Sequence, residues 1–170
     1  IFNNVAVAAA YTKQKYGLDR VAIVDFDVHH GNGTENILSD KQGYLFCSTF
    51  QHPFYPFSGT EAQPPHIINS PLSANANSEE FRQTINRDWL PTLHQFKPQL
   101  IIISAGFDAH IEDEMSQTKL VNQDYRWVTD EIKKIADLYA KGRIVSVLEG
   151  GYSLNALGPC VVEHIKGLIG

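Results

Sequence analysis

Val21 to Gly33 reads VAIVDFDVHHGNG, an apolar run that ends in two aspartates and two histidines and then breaks at glycine. Val21, Ile23 and Val24 mark a buried strand, and residues two apart on a strand point the same way. Asp25, Asp27 and His29 are therefore expected on one face. Two carboxylates a pleat apart at the end of an apolar strand repel each other and are costly to desolvate unless hydrogen-bond donors or a cation compensate. A metal site is the economical explanation. His30 falls on the opposite face of the strand, where a structural role is expected.

Outward from this stretch, helix and strand take turns. Ile1 to Tyr16 reads as a helix and Arg20 to Asp27 as the strand just described. A short helix near Gly33 to Leu38, a strand over Tyr44 to Thr49 and an extended piece at His66 to Asn69 follow. The loop between the last two, Gln51 to Pro65, is rich in proline and aromatic residues. Asn77 to Phe96 is expected as one long amphipathic helix, with Asn77 and Glu80 forming a variant of the capping box. Leu100 to Ser104 is an apolar strand ending at Ala-Gly-Phe-Asp, Asp124 to Ala140 a helix, and Ile144 to Leu148 an apolar strand ending at Glu-Gly-Gly-Tyr. The last helix spans Leu154 to Leu168, interrupted or started at Pro159.

Apolar strands without polar alternation, each followed by a helix, indicate a mainly parallel sheet covered on both faces, a doubly wound α/β domain. Ligands of such sheets sit outside the carboxyl ends of the strands. Connectivity thus brings Asp25, Asp27, His29, Asp108 and Tyr152 toward one edge. His110 falls close to that edge without an assigned role.

The 170 residues suffice for one domain that buries roughly 70% of its unfolded surface. Hydrophobic residues make up 43% and charged residues 19%, the balance of a soluble globular chain, and no apolar run approaches a membrane span. The net charge of −5 offers no basic run to neutralise phosphates, so direct nucleic-acid binding is not expected. Cys47 and Cys160 lack any CxxC spacing, which argues against a disulfide framework or a thiolate zinc site and for a reducing, cytoplasmic setting. No initiator Met or signal peptide precedes the first helix, so the chain is expected to start within a domain.

Taken together, the motifs resemble the zinc-dependent histone deacetylase superfamily, which also contains bacterial acetylpolyamine amidohydrolases and acetoin-utilisation proteins. The resemblance runs from FNNVAVAA (Phe2 to Ala9) through DFDVHHGNGTE (Asp25 to Glu35), STFQHPFYPFSGT (Ser48 to Thr60) and SAGFDAH (Ser104 to His110) to LEGGYSL (Leu148 to Leu154). Asn32 and the EGGY form look more like the class II and bacterial branches, and a bacterial source is expected on that ground. The resemblance implies an arginase/deacetylase-like fold, N-terminally incomplete, with residues 1–170 as the C-terminal portion of a single catalytic domain. The family's paired general-base histidines lie upstream of the FNN motif, and this segment alone is therefore expected to be inactive.

By the same resemblance Asp27, His29 and Asp108 are the ligands of one zinc ion. Two carboxylates and a neutral imidazole suit a catalytic zinc with an open position. Asp25 would support an imidazole, and Asn32 could orient a second one without adding charge. Asp25, Asp27, His29, Ser48 and Thr49 would also bind a structural monovalent cation such as potassium, which takes hard oxygen ligands. Tyr152, after two glycines, would donate to the developing oxyanion. Tyr55, Met115, Gly150 and Gly151 would line the substrate channel.

The implied activity is hydrolysis of an acetylated amine, either acetyl-lysine or an acetylpolyamine, by metal-activated water attack. Two other readings stay open: a non-catalytic metal-binding or interaction remnant of the fold, and a two-manganese ureohydrolase. For the second, the chain lacks the additional aspartate-rich motif that a second metal requires. Oligomeric state is open at this level.

Overall fold

The apolar run Val21–Asp25 (β1) is the central strand of a five-stranded parallel sheet in the computed structural model, which describes residues 2–170. Its neighbours are Tyr44–Gln51 (β2) on one side and Leu100–Ala105 (β4) on the other. Ile67–Leu72 (β3) and Ile144–Leu148 (β5) complete the order β3-β2-β1-β4-β5. Successive strand residues serve opposite faces. Ala22 and Val24 belong to one core with Leu45, Cys47, Ile101 and Ile103, whereas Val21 and Ile23 belong to another with Phe46, Leu100 and Ile102.

Helices cover both faces, giving the doubly wound α/β architecture. Asn4–Tyr16 (α1) and Asn32–Leu38 (α2) pack Val5, Ala9 and Leu38 into the smaller core. The larger core is closed by Ser78–Thr84 (α3), Leu90–Phe96 (α4), Asn122–Tyr139 (α5) and Leu154–Ile169 (α6), which contribute Phe81, Leu93, Tyr125, Val128 and Cys160. No described helix is long and apolar enough to cross a membrane. Both cysteines are buried free thiols, and burial raises the pKa of each, Cys160 to about 12.

Several element boundaries differ from expectation. The first strand ends at Asp25 rather than Asp27: Phe26 makes the last bond to β4, donating to the Ser104 carbonyl (3.2 Å), and from Asp27 the chain bends away from the sheet. The expected first helix includes Ile1, which lies outside the described residues; the helix itself starts at Asn4, with the Asn3 side chain accepting from the Ala6 N–H. The long helix from Asn77 is broken by a π-helical turn, Ile85–Trp89. Pro91 has no N–H for the Arg87 carbonyl, and widening the preceding turn relieves its ring from that carbonyl. Asn77 does cap α3, accepting from Glu79 and Glu80 N–H groups, but the Glu80 carboxylate reaches Ser73 instead of closing a capping box. Pro159 sits inside a continuous α6. The apolar β5 is an edge strand with Val145 and Leu148 exposed.

The topology fixes where a site can form. From β1 the chain winds outward to β2 and β3 on one side and later returns to β4 and β5 on the other. The crevice outside the carboxyl ends of β1 and β4 is the switch point of the sheet, the usual ligand position in open α/β sheets.

Candidate metal centre

The loop after β1 carries Asp27 and His29, and the loop after β4 carries Asp108. One ligand atom from each of the three lies within 4.8 Å of the other two. The His29 Nδ1–H donates to Asp27 Oδ1 at 3.0 Å and lies 3.2 Å from Asp108 Oδ2. The Asp108 and Asp27 carboxylates beside it push the imidazole pKa up to about 10. The backbone aims the carboxylates: Val28 N–H donates to Asp108 Oδ1 at 2.9 Å, Gly150 N–H to Asp27 Oδ2 at 2.9 Å, and His29 N–H to Asp27 Oδ1 at 2.8 Å.

Asp108 is fully buried, and its Oδ2 has no hydrogen-bond partner among the described residues. Burial raises its pKa, and so does the neighbouring Asp27. An orphaned carboxylate oxygen facing a second carboxylate and an imidazole fits a bound cation. Asp25 adds charge nearby. It is buried, accepts from the Asp27 N–H at 3.1 Å, and its pKa is raised well above the usual range, first by burial and then by Asp27.

Two glycines make room for this cluster. A Cβ at Gly150 would overlap the Asp108 carboxylate and lie 2.7 Å from Asp27 Oδ2, and one at Gly106 would lie 2.6 Å from Asp27 Cβ. Gly150 therefore makes room for the ligand set and also lines the cleft beside it. Gly151, at φ 137°, turns the chain in a region that side chains rarely adopt and packs toward Phe107 and Leu157. Tyr152 follows on the rim of a cleft of about 630 Å³ shared with Asp25, Asp27, His29 and Glu149. Its phenol pKa is raised by burial and by Asp108 and Asp27, which keeps the proton on the oxygen at neutral pH.

The remaining expected residues are placed unevenly. Ser48 and Thr49 are buried on β2, with Ser48 the register partner of Asp25 and its hydroxyl without a partner among the described residues. Asn32 opens α2 and is exposed, with its side chain hydrogen-bonded to none of the described residues. Tyr55 and Met115 are both exposed. The Tyr55 ring stands edge-on to His29 at 6.1 Å, but Phe54 is the ring that stacks on His29, with centroids 5.7 Å apart and planes at 28°. His30 is buried between Ser58 and Glu35 at 2.8 Å each, with Glu35 also accepting from Asn69, a structural role as expected. His110 is buried and its Nδ1 accepts from the Glu112 N–H.

Sequence reasoning missed Phe54 as the stacking ring, Gly106 as a spacer, and Asp113. Asp113 is buried and accepts from the Tyr152 and Ser153 N–H groups. It stands in the acidic run Ile-Glu-Asp-Glu, which reads as solvated surface.

Residues 1–168 match the family model of the histone deacetylase domain. The chain belongs to the histone deacetylase family. Relatives of this chain include the type-2 histone deacetylase 2 of Dictyostelium discoideum, 43% identical over 99% of this chain and 11% of that protein. The histone deacetylase-like amidohydrolase of Pseudomonas aeruginosa is 36% identical over 98% of this chain and 47% of that protein. Among solved structures, the histone deacetylase Clr3 superposes with a TM-score of 0.90 at 31% identity, covering 99% of this chain and 30% of that one. The chain thus spans about half or less of each of these relatives. The arginase/deacetylase-like α/β fold expected from the motifs is the fold observed.

Proposed function

We propose that this chain supplies the metal-binding, C-terminal portion of a zinc-dependent amidohydrolase that removes acetyl groups from acetylated amines. The observation that carries the reading is the convergence of Asp27, His29 and Asp108 from two separate loops at the switch point of the sheet. Two carboxylates and one imidazole would hold one zinc and leave it an open position. Zinc in that place supplies a Lewis acid that polarises an amide carbonyl and makes water a nucleophile near neutral pH.

The chain's own residues orient and polarise the substrate around that metal. Tyr152, protonated at neutral pH, donates its phenol proton in a hydrogen bond to the carbonyl oxygen as negative charge develops there. Phe54 and Tyr55 beside His29 offer an apolar wall suited to the aliphatic stem of an acylated amine, and the exposed Met115 is assigned to the same channel by its place in the family motif. Asp25 holds the Asp27 backbone, and an oxygen set from Asp25, Asp27, His29, Ser48 and Thr49 suits a monovalent cation such as potassium. The unpartnered Ser48 hydroxyl beside the strongly perturbed Asp25 supports that second site. Two free buried thiols suit a cytoplasmic location.

The test is hydrolysis of acetyl-lysine peptides and acetylpolyamines, side by side, by the longest polypeptide of its gene that contains residues 1–170 and by residues 1–170 alone. The longer protein is expected to release acetate from at least one of the two classes in the presence of zinc. Residues 1–170 alone are expected to turn over at least about 10²-fold more slowly, because the two histidines that line the cleft are already engaged, His29 with Asp27 and Asp108 and His30 with Ser58 and Glu35, and neither is free to act as general base. Absence of acetate release by the zinc-loaded longer protein from either class overturns the reading.

A further inference from the structure

Asp113 is the least explained buried charge near the cleft. It is 4% exposed, and no lysine, arginine or histidine pairs with it among the described residues. Its carboxylate is instead filled by three backbone donors. Oδ2 accepts from Tyr152 N–H at 2.7 Å and from Ser153 N–H at 2.9 Å, and Oδ1 accepts from Met115 N–H at 3.0 Å. Its own N–H donates to the His110 carbonyl at 2.9 Å, which ties it to the loop after β4.

Those three donors belong to two different loops. Tyr152 and Ser153 lead from β5 into α6, for which Ser153 is the N-cap; Met115 belongs to the loop that also carries Asp108. A carboxylate at a helix N-terminus is favoured by the aligned N–H groups, and charge-assisted bonds are the strong ones. The bonds also answer a specific need. The Tyr152 side chain is 59% exposed and makes no hydrogen bond within the described residues. The two residues before it are glycines, with Gly151 at φ 137°. A ring on such a turn is aimed by its backbone or not at all.

We propose that Asp113 is a positioning residue for catalysis: it locks the Tyr152 turn to the loop bearing Asp108 and Met115, and so holds the phenol over the reacting carbonyl. The inference rests on Tyr152 acting as the oxyanion donor. A donor displaced by about 1 Å loses up to about 10²-fold in rate.

The experiment is a double-mutant cycle in the longest polypeptide containing this chain, with the better of the acetyl-lysine and acetylpolyamine substrates. The wild type, Asp113→Asn, Tyr152→Phe and the double variant are compared for kcat, KM, zinc content and thermal melting. Asp113→Asn keeps the size but offers one acceptor oxygen in place of two. It is expected to lower kcat about 10-fold or more with zinc content unchanged and KM shifted far less, and to cost less than about twofold further in the Tyr152→Phe background. Equal cost in both backgrounds, or a wild-type kcat in Asp113→Asn, overturns the positioning role while leaving the deacetylase reading intact. A near-normal kcat in Tyr152→Phe with zinc bound overturns the role of Tyr152 on which the proposal rests. If Asp113→Asn does not melt cooperatively, Asp113→Glu, which keeps the charge but moves the acceptors by one methylene, carries the same cycle under the same criteria.

Discussion

At the residue scale, the cluster concentrates charges that oppose one another. Asp25, Asp27, Asp108 and Glu149 repel, and burial and this repulsion raise the pKa of Asp25, Asp108 and Glu149, while the Asp108 and Asp27 carboxylates push that of His29 up. Small residues are what allow them to meet. Gly150→Ala is expected to force the Asp108 and Asp27 carboxylates apart and to weaken zinc binding by about 10–100-fold, measured by calorimetry or competition with a chromophoric chelator. Unchanged affinity would mean that the loop yields without cost. Tyr152→Phe is expected to behave differently, leaving zinc content intact and lowering kcat of the longest polypeptide containing this chain by about 10²–10³-fold, because the phenol stabilises charge that exists only in the transition state. Asp27, His29 and Asp108 were legible in the sequence because each sits in a motif at a strand end. Asp113 was not, since burial of one member of an acidic run depends on which backbone donors the fold brings to it. Phe54 was obscured by Tyr55 and Phe57 beside it, for local spacing does not say which ring a proline-rich loop turns toward His29.

At the element scale, α6 is held against α5 by a buried polar bridge. The Thr129 hydroxyl donates to the Tyr125 carbonyl at 2.6 Å and so accepts from His164 Nδ1–H at 2.7 Å; Ser146 on β5 then donates to His164 Nε2 at 2.8 Å. This leaves His164 neutral, and burial lowers its pKa to about 4. The unfolded chain takes up the proton near pH 6.5, the folded chain only near pH 4, so this contribution is complete above about pH 6.5 and is lost as pH falls toward 4. The difference amounts to about 3 kcal/mol. Urea unfolding of wild type and His164→Gln from pH 7.5 to 4 is expected to show the wild type losing stability relative to the variant within that window; a pH-independent difference would contradict it. Element types were readable from hydrophobic pattern, and their ends were not. The pattern from Asn77 to Phe96 is helical throughout, yet the π turn at Ile85–Trp89 follows from one missing N–H at Pro91. The apolar β5 read as buried on both faces, but pattern alone does not say which strand lies at the edge of a sheet.

At the scale of the whole molecule, the doubly wound order explains why residues 81 apart in sequence, Asp27 and Asp108, share one ion-sized space. The crossover through β2, β3, α3 and α4 returns the chain beside β1, so that both loops open on the same edge. This much follows from the alternation of apolar strands and helices along the sequence. What the fold adds is the opposition of the two loops and the unpartnered Asp108 oxygen between them. The central claim is that this opposition is a zinc site, and calorimetric titration of zinc into metal-free wild type and Asp108→Ala chains, with thermal melting of the same samples, tests it directly. The wild type is expected to bind one zinc per chain and to melt at a higher temperature with zinc, since a ligand of the folded state stabilises it, while Asp108→Ala loses both effects. Absence of stoichiometric zinc binding by the wild type, or equal binding by Asp108→Ala, would contradict the account.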